Sequence, residues 1–252
     1  MRVPKVLVAC EESQAVTIAM REIGIEAYSC DIIECSGGHP EWHIQGDVLK
    51  VLNPSMHSLG VFETYDEEWH GIEFRTMDGK MHSIEGKWDL LIAHPPCTFL
   101  TVTGNRWFNV ERYGEKAIQR AKDREEAVEF FMVFANADCE HICIENPVGC
   151  MSTRWRKADQ IIQPWMFGDE AEKKTCLWLI GLDPLVPTKI VTPPPRQTFK
   201  SGNTMPQWYA EAWKLPKEER SRLRSKTFQG IADAIAAQWG RQLIEELNGG
   251  VG

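Results

Sequence analysis

The chain has 252 residues, of which 43 % are apolar and 25 % charged; this excludes a disordered, collagen-like or simple coiled-coil protein and predicts one compact domain with a small appended lobe. No apolar run approaches the ~20 residues that span a bilayer. The run Val6-Leu7-Val8-Ala9 has no cleavage pattern and soon meets Glu11 and Glu12, so a signal peptide is not expected and a cytoplasmic chain is. The net charge of -8 excludes a protein that coats nucleic acid indiscriminately, so any such contact must come from a local patch.

Lys5 to Ala9 reads as a short buried strand. Ser13 then stands as an N-cap before the helical pattern Ala15, Ile18, Ala19, Ile23, which ends at Gly24. Ile25 to Cys30 reads as a second strand closed by Asp31, and strand, tight turn, helix, strand is the βαβ unit of a doubly wound sheet. Residues 37–60 are loop-rich. Ile72 to Ile84 has the pattern of a hairpin around Asp78-Gly79. Trp88 to Ala93 is another buried strand, and 94–110, with Pro95, Pro96, Gly104 and Asn105, a long functional loop. Lys116 to Phe134 is an amphipathic helix, His141 to Glu145 a strand running into Asn146-Pro147, and Thr175 to Ile180 a further strand. Residues 181–215 are proline-rich and irregular, and Phe228 to Leu247 closes the series as a helix. The fold class expected is α/β, with a doubly wound, mostly parallel Rossmann-like sheet and a small irregular lobe. Residues 1–180 form the cofactor-binding catalytic domain with a hairpin insertion near 55–86. Residues 181–224 form the small recognition lobe, and 225–252 the helix that returns to the catalytic domain. The eight cysteines read as reduced thiols, and the ten tryptophans as core and rim packing.

The turn after the first strand is Cys10-Glu11-Glu12-Ser13. It lacks the glycines that let a backbone hug a pyrophosphate, and its two carboxylates repel phosphate. They suit a cationic ligand, and S-adenosylmethionine, with a sulfonium and an ammonium, fits that field better than NAD or ATP. The same two carboxylates also read as a solvated helix start favoured by the dipole. Asp31 stands where an acid takes ribose hydroxyls, and Asp47 in Gln45-Gly46-Asp47-Val48 where one could take an adenine amino group.

His94-Pro95-Pro96-Cys97-Thr98 follows a hydrophobic strand, at the ligand-facing carboxyl edge of such a sheet. Two prolines fix the backbone and aim the next side chain, a cysteine, which becomes a good nucleophile once its thiol pKa is lowered. Alone, that segment reads first as a buried, inert thiol after a proline turn. Ile144-Glu145-Asn146-Pro147 ends another strand at the same edge. Its apolar lead-in is expected to desolvate Glu145 and raise its pKa, making it a proton donor.

Together these residues resemble the DNA cytosine-C5 methyltransferases. The family's fourth motif is matched by Pro96-Cys97, Thr101 and Gly104, and its sixth by Glu145-Asn146-Pro147. Its eighth is matched by Phe167-Gly168 leading to Lys173-Lys174-Thr175, its third by Gly46-Asp47-Val48, and its second by Asp31. In wording the segments are most similar to the compact methyltransferase-like proteins of phages and prophages. The resemblance implies S-adenosylmethionine held by Cys10, Glu11, Glu12, Ser13, Asp31, Asp47, Val48, His94 and Pro95. It implies catalysis by Cys97 and Glu145, and a flipped-out cytosine of DNA met by Pro96, Thr101, Gly104, Asn105, Asn146 and Lys173. The sequence departs from the family where Gly-x-Gly-Gly is absent after the first strand. It departs again where Lys173 and Thr175 replace the usual arginines, and where Gln229-Gly230 replaces Gly-Asn. The altered eighth motif leaves open a non-catalytic relative that binds DNA or S-adenosylmethionine, and the small lobe and acidic charge leave open a methyltransferase of free dCMP.

Other readings fit less well. An amino-methyltransferase shows Asp, Asn or Ser before Pro-Pro and an aromatic after it, where this chain has His94 and Cys97. A zinc deaminase needs Pro-Cys-x-x-Cys, and Leu100 fills the last position. Cys139, His141, Cys143 and Cys150 include no Cys-x-x-Cys pair, so no metal is expected. Arg154-Trp155-Arg156-Lys157 and Lys214 to Lys226 are candidate phosphate-binding runs that read equally as solvated helix faces.

Overall fold

A computed structural model describes residues 2–56 and 70–249; the part of the expected 55–86 insertion at 57–69, and residues 250–252, lie outside the described residues. Strand β1 (Lys5–Ala9), helix α1 (Ala15–Glu22), β2 (Glu26–Asp31) and β3 (His43–Gln45) come first. Helix α2 (Leu49–Leu52) leads to a small antiparallel sheet of β4 (Ser55–Met56), β5 (His70–Arg75) and β6 (Met81–Glu85). β7 (Leu90–Ala93) is followed by a 3-10 turn at Val102–Phe108, α3 (Val110–Tyr113) and the long α4 (Glu115–Ala135). β8 (His141–Pro147), α5 (Met151–Arg154), β9 (Gln160–Ile162) and β10 (Thr175–Ile180) follow. Then come the short pair β11 (Gln197–Thr198) and β12 (Thr204–Met205), α6 (Gln207–Ala212), α7 (Lys217–Ser225) and α8 (Gln229–Ile235). A π-helical turn at Ala236–Gly240 joins α8 to α9 (Arg241–Gly249).

The central sheet has seven strands in the order β3-β2-β1-β7-β8-β10-β9. From β3 to β8 every pairing is parallel, and β10 runs antiparallel to both of its neighbours. The result is an α/β architecture compatible with a Rossmann-like fold. Side chains alternate between two apolar layers, as the period of two along a strand requires. On one face Val6, Val8, Leu90 and Ile92 pack with Val16 and Met20 of α1 and with Ile235, Trp239 and Leu243 of the C-terminal helices. On the other, Leu7, Leu91, Ile142 and Ile144 pack with Phe131 and Phe134 of α4, with Trp88 and Trp178, and with Ile72, Phe74 and Ile84 of the small sheet. Each such side chain, fully buried, contributes ~1.5–3 kcal/mol of transfer free energy.

The strand order reverses between β1 and β7, which makes the carboxyl edge there the switch point where open α/β sheets bind ligands. The register sets what meets at that edge. Ala9 pairs with Ala93 and Ala93 with Ile144, so the next residues, Cys10, His94 and Glu145, stand level on three adjacent strands.

The structure corrects several local expectations. Ser13 is not the N-cap of α1: Gln14 occupies that position with φ 58° and no side-chain cap bond. The carboxylate of Glu11 caps instead, accepting from Val16 N at 2.7 Å, Thr17 N at 3.3 Å and Thr17 Oγ1 at 2.7 Å. Residues 37–60 are not only loop, because His43–Gln45 extends the sheet edge beside β2. Residues 94–110 contain the 3-10 turn, and 181–215 contain the β11–β12 pair and α6. The last helix is interrupted by its π turn, where Gly240 lies so close to Ile23 and Ile25 that a Cβ there would sit 2.7 and 2.8 Å from their side chains.

The loops after β7 and β8 are joined backbone to backbone. Thr101 bridges Gly149, Val102 N donates to Val148 O at 3.1 Å, and Cys150 N donates to Leu100 O at 2.8 Å. A Cβ on Gly149 would lie 2.3 Å from Leu100 O. Gly149→Ala is therefore expected to lower stability by about 1–3 kcal/mol through overpacking, seen as a lower urea midpoint at unchanged slope. Gly46→Ala, with open space around the new methyl, is the control. Equal midpoints for the two variants would show that this junction does not constrain the fold.

Candidate active site

A cleft opens at the switch point. One side is the turn after β1: Cys10, Glu11, Glu12 and Ser13, with Asp31 and Ile33 beyond β2. The floor is His94, Pro95, Pro96 and Cys97 after β7, with Glu145, Asn146 and Pro147 at the end of β8. The far side is Lys173 before β10 and Arg224 to Thr227 after α7. Eleven residues predicted from the sequence thus share one cavity with the two catalytic candidates, Cys97 and Glu145: Cys10, Glu11, Glu12, Ser13, Asp31, His94, Pro95, Pro96, Asn146, Lys173 and, less expected, Arg224.

Cys97 is held by its neighbours on every side. Its carbonyl accepts from Leu100 N at 3.1 Å and Thr101 N at 3.0 Å, so the loop turns back directly after the cysteine. Asn146 Nδ2 donates to Pro95 O at 2.7 Å and fastens the Pro-Pro segment to the end of β8. From α4, Arg120 donates to Thr98 O and Arg124 to Phe99 O, each at 2.8 Å. The Cys97 thiol is half-buried. Burial and the Glu145 charge push its pKa up, while Lys173 and Arg224 pull it down less strongly, so the resting group is a thiol.

Glu145 corrects the sequence expectation. Burial does push its carboxyl upward, as its apolar lead-in implied, but the hydrogen bond from His94 and the charges of Lys173 and His94 outweigh burial and hold it below the usual carboxylate range. His94 Nδ1 donates to Glu145 Oε2 at 2.7 Å, the two side chains being 13 % and 14 % exposed. For His94 burial pushes downward, yet the bond to Glu145 and the charges of Glu145 and Glu11 raise it overall, against Lys173. The proton of this pair therefore rests on the imidazole. Sequence reading had placed His94 with the cofactor. The two residues are 51 positions apart, and only the strand register brings them together.

On the acidic side, the expected solvated helix start is also corrected for Glu11, which is 3 % exposed and committed to capping α1. Its burial raises its carboxyl pKa. Glu12 keeps a buried Oε2 without a protein donor. Asp31 is raised by burial, and the charge of Glu12 adds to that. The donor set beside Cys10 thus offers carboxylates and no glycine nest, which fits a ligand with a cationic centre and hydroxyls, such as S-adenosylmethionine, and does not fit a pyrophosphate.

The structure does not bring every expected residue to the cleft wall. Asp47 spends Oδ1 on Leu49 N at 3.0 Å, and Val48 is buried in the core. Thr101 is occupied in the bridge to Gly149, Gly104 packs against Arg120, and Asn105 Oδ1 accepts from Arg124 at 2.8 Å. The first basic run is structural: Arg154 forms a two-bond pair with Glu125, and Arg156 pairs with Asp159 at 2.6 Å. The second run divides. Arg220 lies over Trp213, while Arg224, with its guanidinium 4.4 Å from the Tyr209 ring, and Lys226 reach the cleft. Ile33 and Thr227 were missed, since nothing in their spacing sets them apart. All eight cysteines are free thiols. Among the described residues no group of three or more His, Cys, Asp or Glu is placed to hold a metal ion, and no helix is long and apolar enough to cross a membrane. Neither a family model nor a curated protein matches the chain.

The His94–Glu145 pair gives a stability signature. Glu145, held below its ordinary value, contributes stability at neutral pH that is lost as pH falls through the lowered value. His94, held above its ordinary value, contributes stability in acid that is lost as pH rises through the raised value. Both contributions are complete together between about pH 4.3 and about pH 6.5. The difference in melting temperature between wild type and Glu145→Gln is expected to be largest there and to shrink in alkali. A difference that stays constant up to about pH 9 would remove the ion pair.

Proposed function

We propose that this protein is an S-adenosylmethionine-dependent methyltransferase acting on C5 of cytosine in DNA through a covalent adduct with Cys97. The observation that carries the reading is the meeting, at the switch point of a parallel sheet, of a cysteine presented by Pro95-Pro96 with a buried carboxylate on the adjacent strand end. The acidic side of the cleft supports the cofactor, which supplies a methyl group on a sulfonium. Glu12, Ser13 and Asp31 are the residues that would hold it.

Cytosine C5 is too electron-poor to attack a sulfonium unaided. Addition of the Cys97 sulfur to C6 moves the ring electrons onto C5 and N3 and makes C5 nucleophilic. Glu145, facing the same cavity, protonates or hydrogen-bonds N3 and so stabilises the adduct, help that is typically worth ~10²–10⁴-fold. Lys173, Arg224 and Lys226 offer positive charge for the phosphates of the strand that carries the base. A base in a duplex must be turned out of the stack to reach the cleft. Removal of the C5 proton then lets Cys97 leave.

A target cytosine with fluorine at C5 has no proton to lose, so elimination stops and the protein stays attached. Incubation with 5-fluorocytosine DNA and S-adenosylmethionine is expected to give an adduct that survives denaturation. Cys97→Ser should abolish it, because a hydroxyl is a far weaker nucleophile, and Cys139→Ser should leave it intact. An adduct that persists in Cys97→Ser would overturn the assignment. Trapping with 5-fluoro-dCMP and not with DNA would move the substrate to the free nucleotide, and no adduct with either would leave a non-catalytic binding protein.

A further inference from the structure

His94 is not needed to present Cys97, since Pro95 and Pro96 already fix that backbone and Asn146 already anchors it. Nor is it a free cleft side chain. It stands just past the end of β7, its Nδ1 is bonded to Glu145 Oε2 at 2.7 Å, and its Nε2 is buried without a protein partner. The charged groups that face it are Glu145 from β8, Glu11 from the turn after β1 and Lys173 from the segment before β10; Cys97 lies on its own loop. Two carboxylates against one ammonium favour an imidazolium at this position.

We infer that His94 is a positioning residue that stores the proton Glu145 hands to the substrate base. This deepens the methyltransferase reading and rests on it. In the resting cleft the thiol of Cys97 holds one proton and the His94–Glu145 pair holds another. Addition of the thiol across the base puts sulfur on C6 and a proton on N3: the C5=C6 electron pair moves to C5=C4, and the C4=N3 pair moves onto N3, where it takes the proton. The proton reaching N3 comes from the pair, and the proton leaving Cys97 replaces it, so the pair ends with the charge it had. A lone Glu145 would carry out the exchange only by changing its own charge: as a neutral acid it becomes a carboxylate when N3 takes its proton, and as a carboxylate it must first take the proton of the thiol. His94 lets the same carboxylate stay charged and still have a proton within 2.7 Å.

The test uses the full chain with 13C-labelled histidine, the His94 signal being assigned by its loss in His94→Gln. His94 is expected to titrate above the ordinary imidazole value of about 6.5 and to drop in Glu145→Gln, where only the charge of Glu11 is left to oppose burial. A His94 titration that does not move in Glu145→Gln overturns the pairing, whatever the protein's substrate. The second arm is the rate of adduct formation on 5-fluorocytosine DNA against pH. Wild type should slow in alkali as His94 loses its proton. His94→Gln, which keeps a hydrogen bond to Glu145 without a transferable proton, should be about 10²-fold slower near neutrality and lose that alkaline limb. His94→Asn, read by the same two measurements, guards against a folding failure of the first variant. A His94→Gln profile that overlays wild type overturns proton storage. Failure of wild type to form any adduct overturns the methyltransferase reading and proton delivery with it, while the titration still decides the pairing.

Discussion

Two loops that could each wander are locked together by their own backbones, and the rest of the cleft depends on that junction. The segment after β7 carries Cys97, and the segment after β8 continues from Glu145. They are joined by the Thr101–Gly149 bridge, the Cys150 N to Leu100 O bond and the Asn146 side chain on Pro95 O. The close approach needs a residue without a Cβ at 149. Orientation of this kind is what turns a cysteine and a carboxylate into one reactive unit, because a displacement of about 1 Å can cost about 10²-fold in rate. Arg120 and Arg124 of α4 brace the same loop through carbonyls and through the rings of Phe99 and Phe108. The long helix therefore serves the site as well as the core.

Charge in the cleft is divided rather than balanced. Glu12 and Asp31 stand on one side and Lys173, Arg224 and Lys226 on the other, with His94, Glu145 and Cys97 between them. A chain with a net charge of -8 thus keeps cations where a phosphate-bearing substrate would need them. Screening by salt over about 8–10 Å confines such a patch to its own neighbourhood, so the overall acidity says little about what this edge attracts.

Much of the fold was legible because buried strands and hairpin turns leave local marks. Val6 to Ala9, Leu90 to Ala93 and Thr175 to Ile180 are apolar runs of strand length, and Asp78-Gly79 sits where β5 turns into β6. β3 was illegible because His43-Ile44-Gln45 is too short and too polar to show a period. It is held by the parallel pairing with β2, and His43 is satisfied by Ser29 and Ile33 O, contacts that no window of sequence contains. The cap of α1 was misassigned because Ser13 is the usual residue type, whereas Glu11, which stands between Cys10 and Gln14, both at positive φ, reaches forward to Val16 and Thr17 to do the same work. For the site, strand ends placed Cys97 and Glu145 at one edge. What the sequence could not carry was the electrostatic partner. An apolar lead-in reports burial, and burial alone raises a carboxylate; only three-dimensional register shows that His94 stands beside it and reverses the sign.

That reversal bears on how a nucleophile is kept safe. A cysteine presented on a rigid turn in an open cleft is within reach of oxidants and stray electrophiles, and the thiolate is the vulnerable form. Here burial and the neighbouring Glu145 charge hold Cys97 as a thiol, against the pull of Lys173 and Arg224. Were Glu145 neutral, burial alone would oppose the two cations at Cys97. By keeping Glu145 charged, His94 adds to the effect of burial in keeping Cys97 protonated. Under the proposed chemistry, a base that takes a proton at N3 leaves the pair ready to accept one from Cys97. The same two residues then suppress the nucleophile in the empty cleft and release it in the filled one.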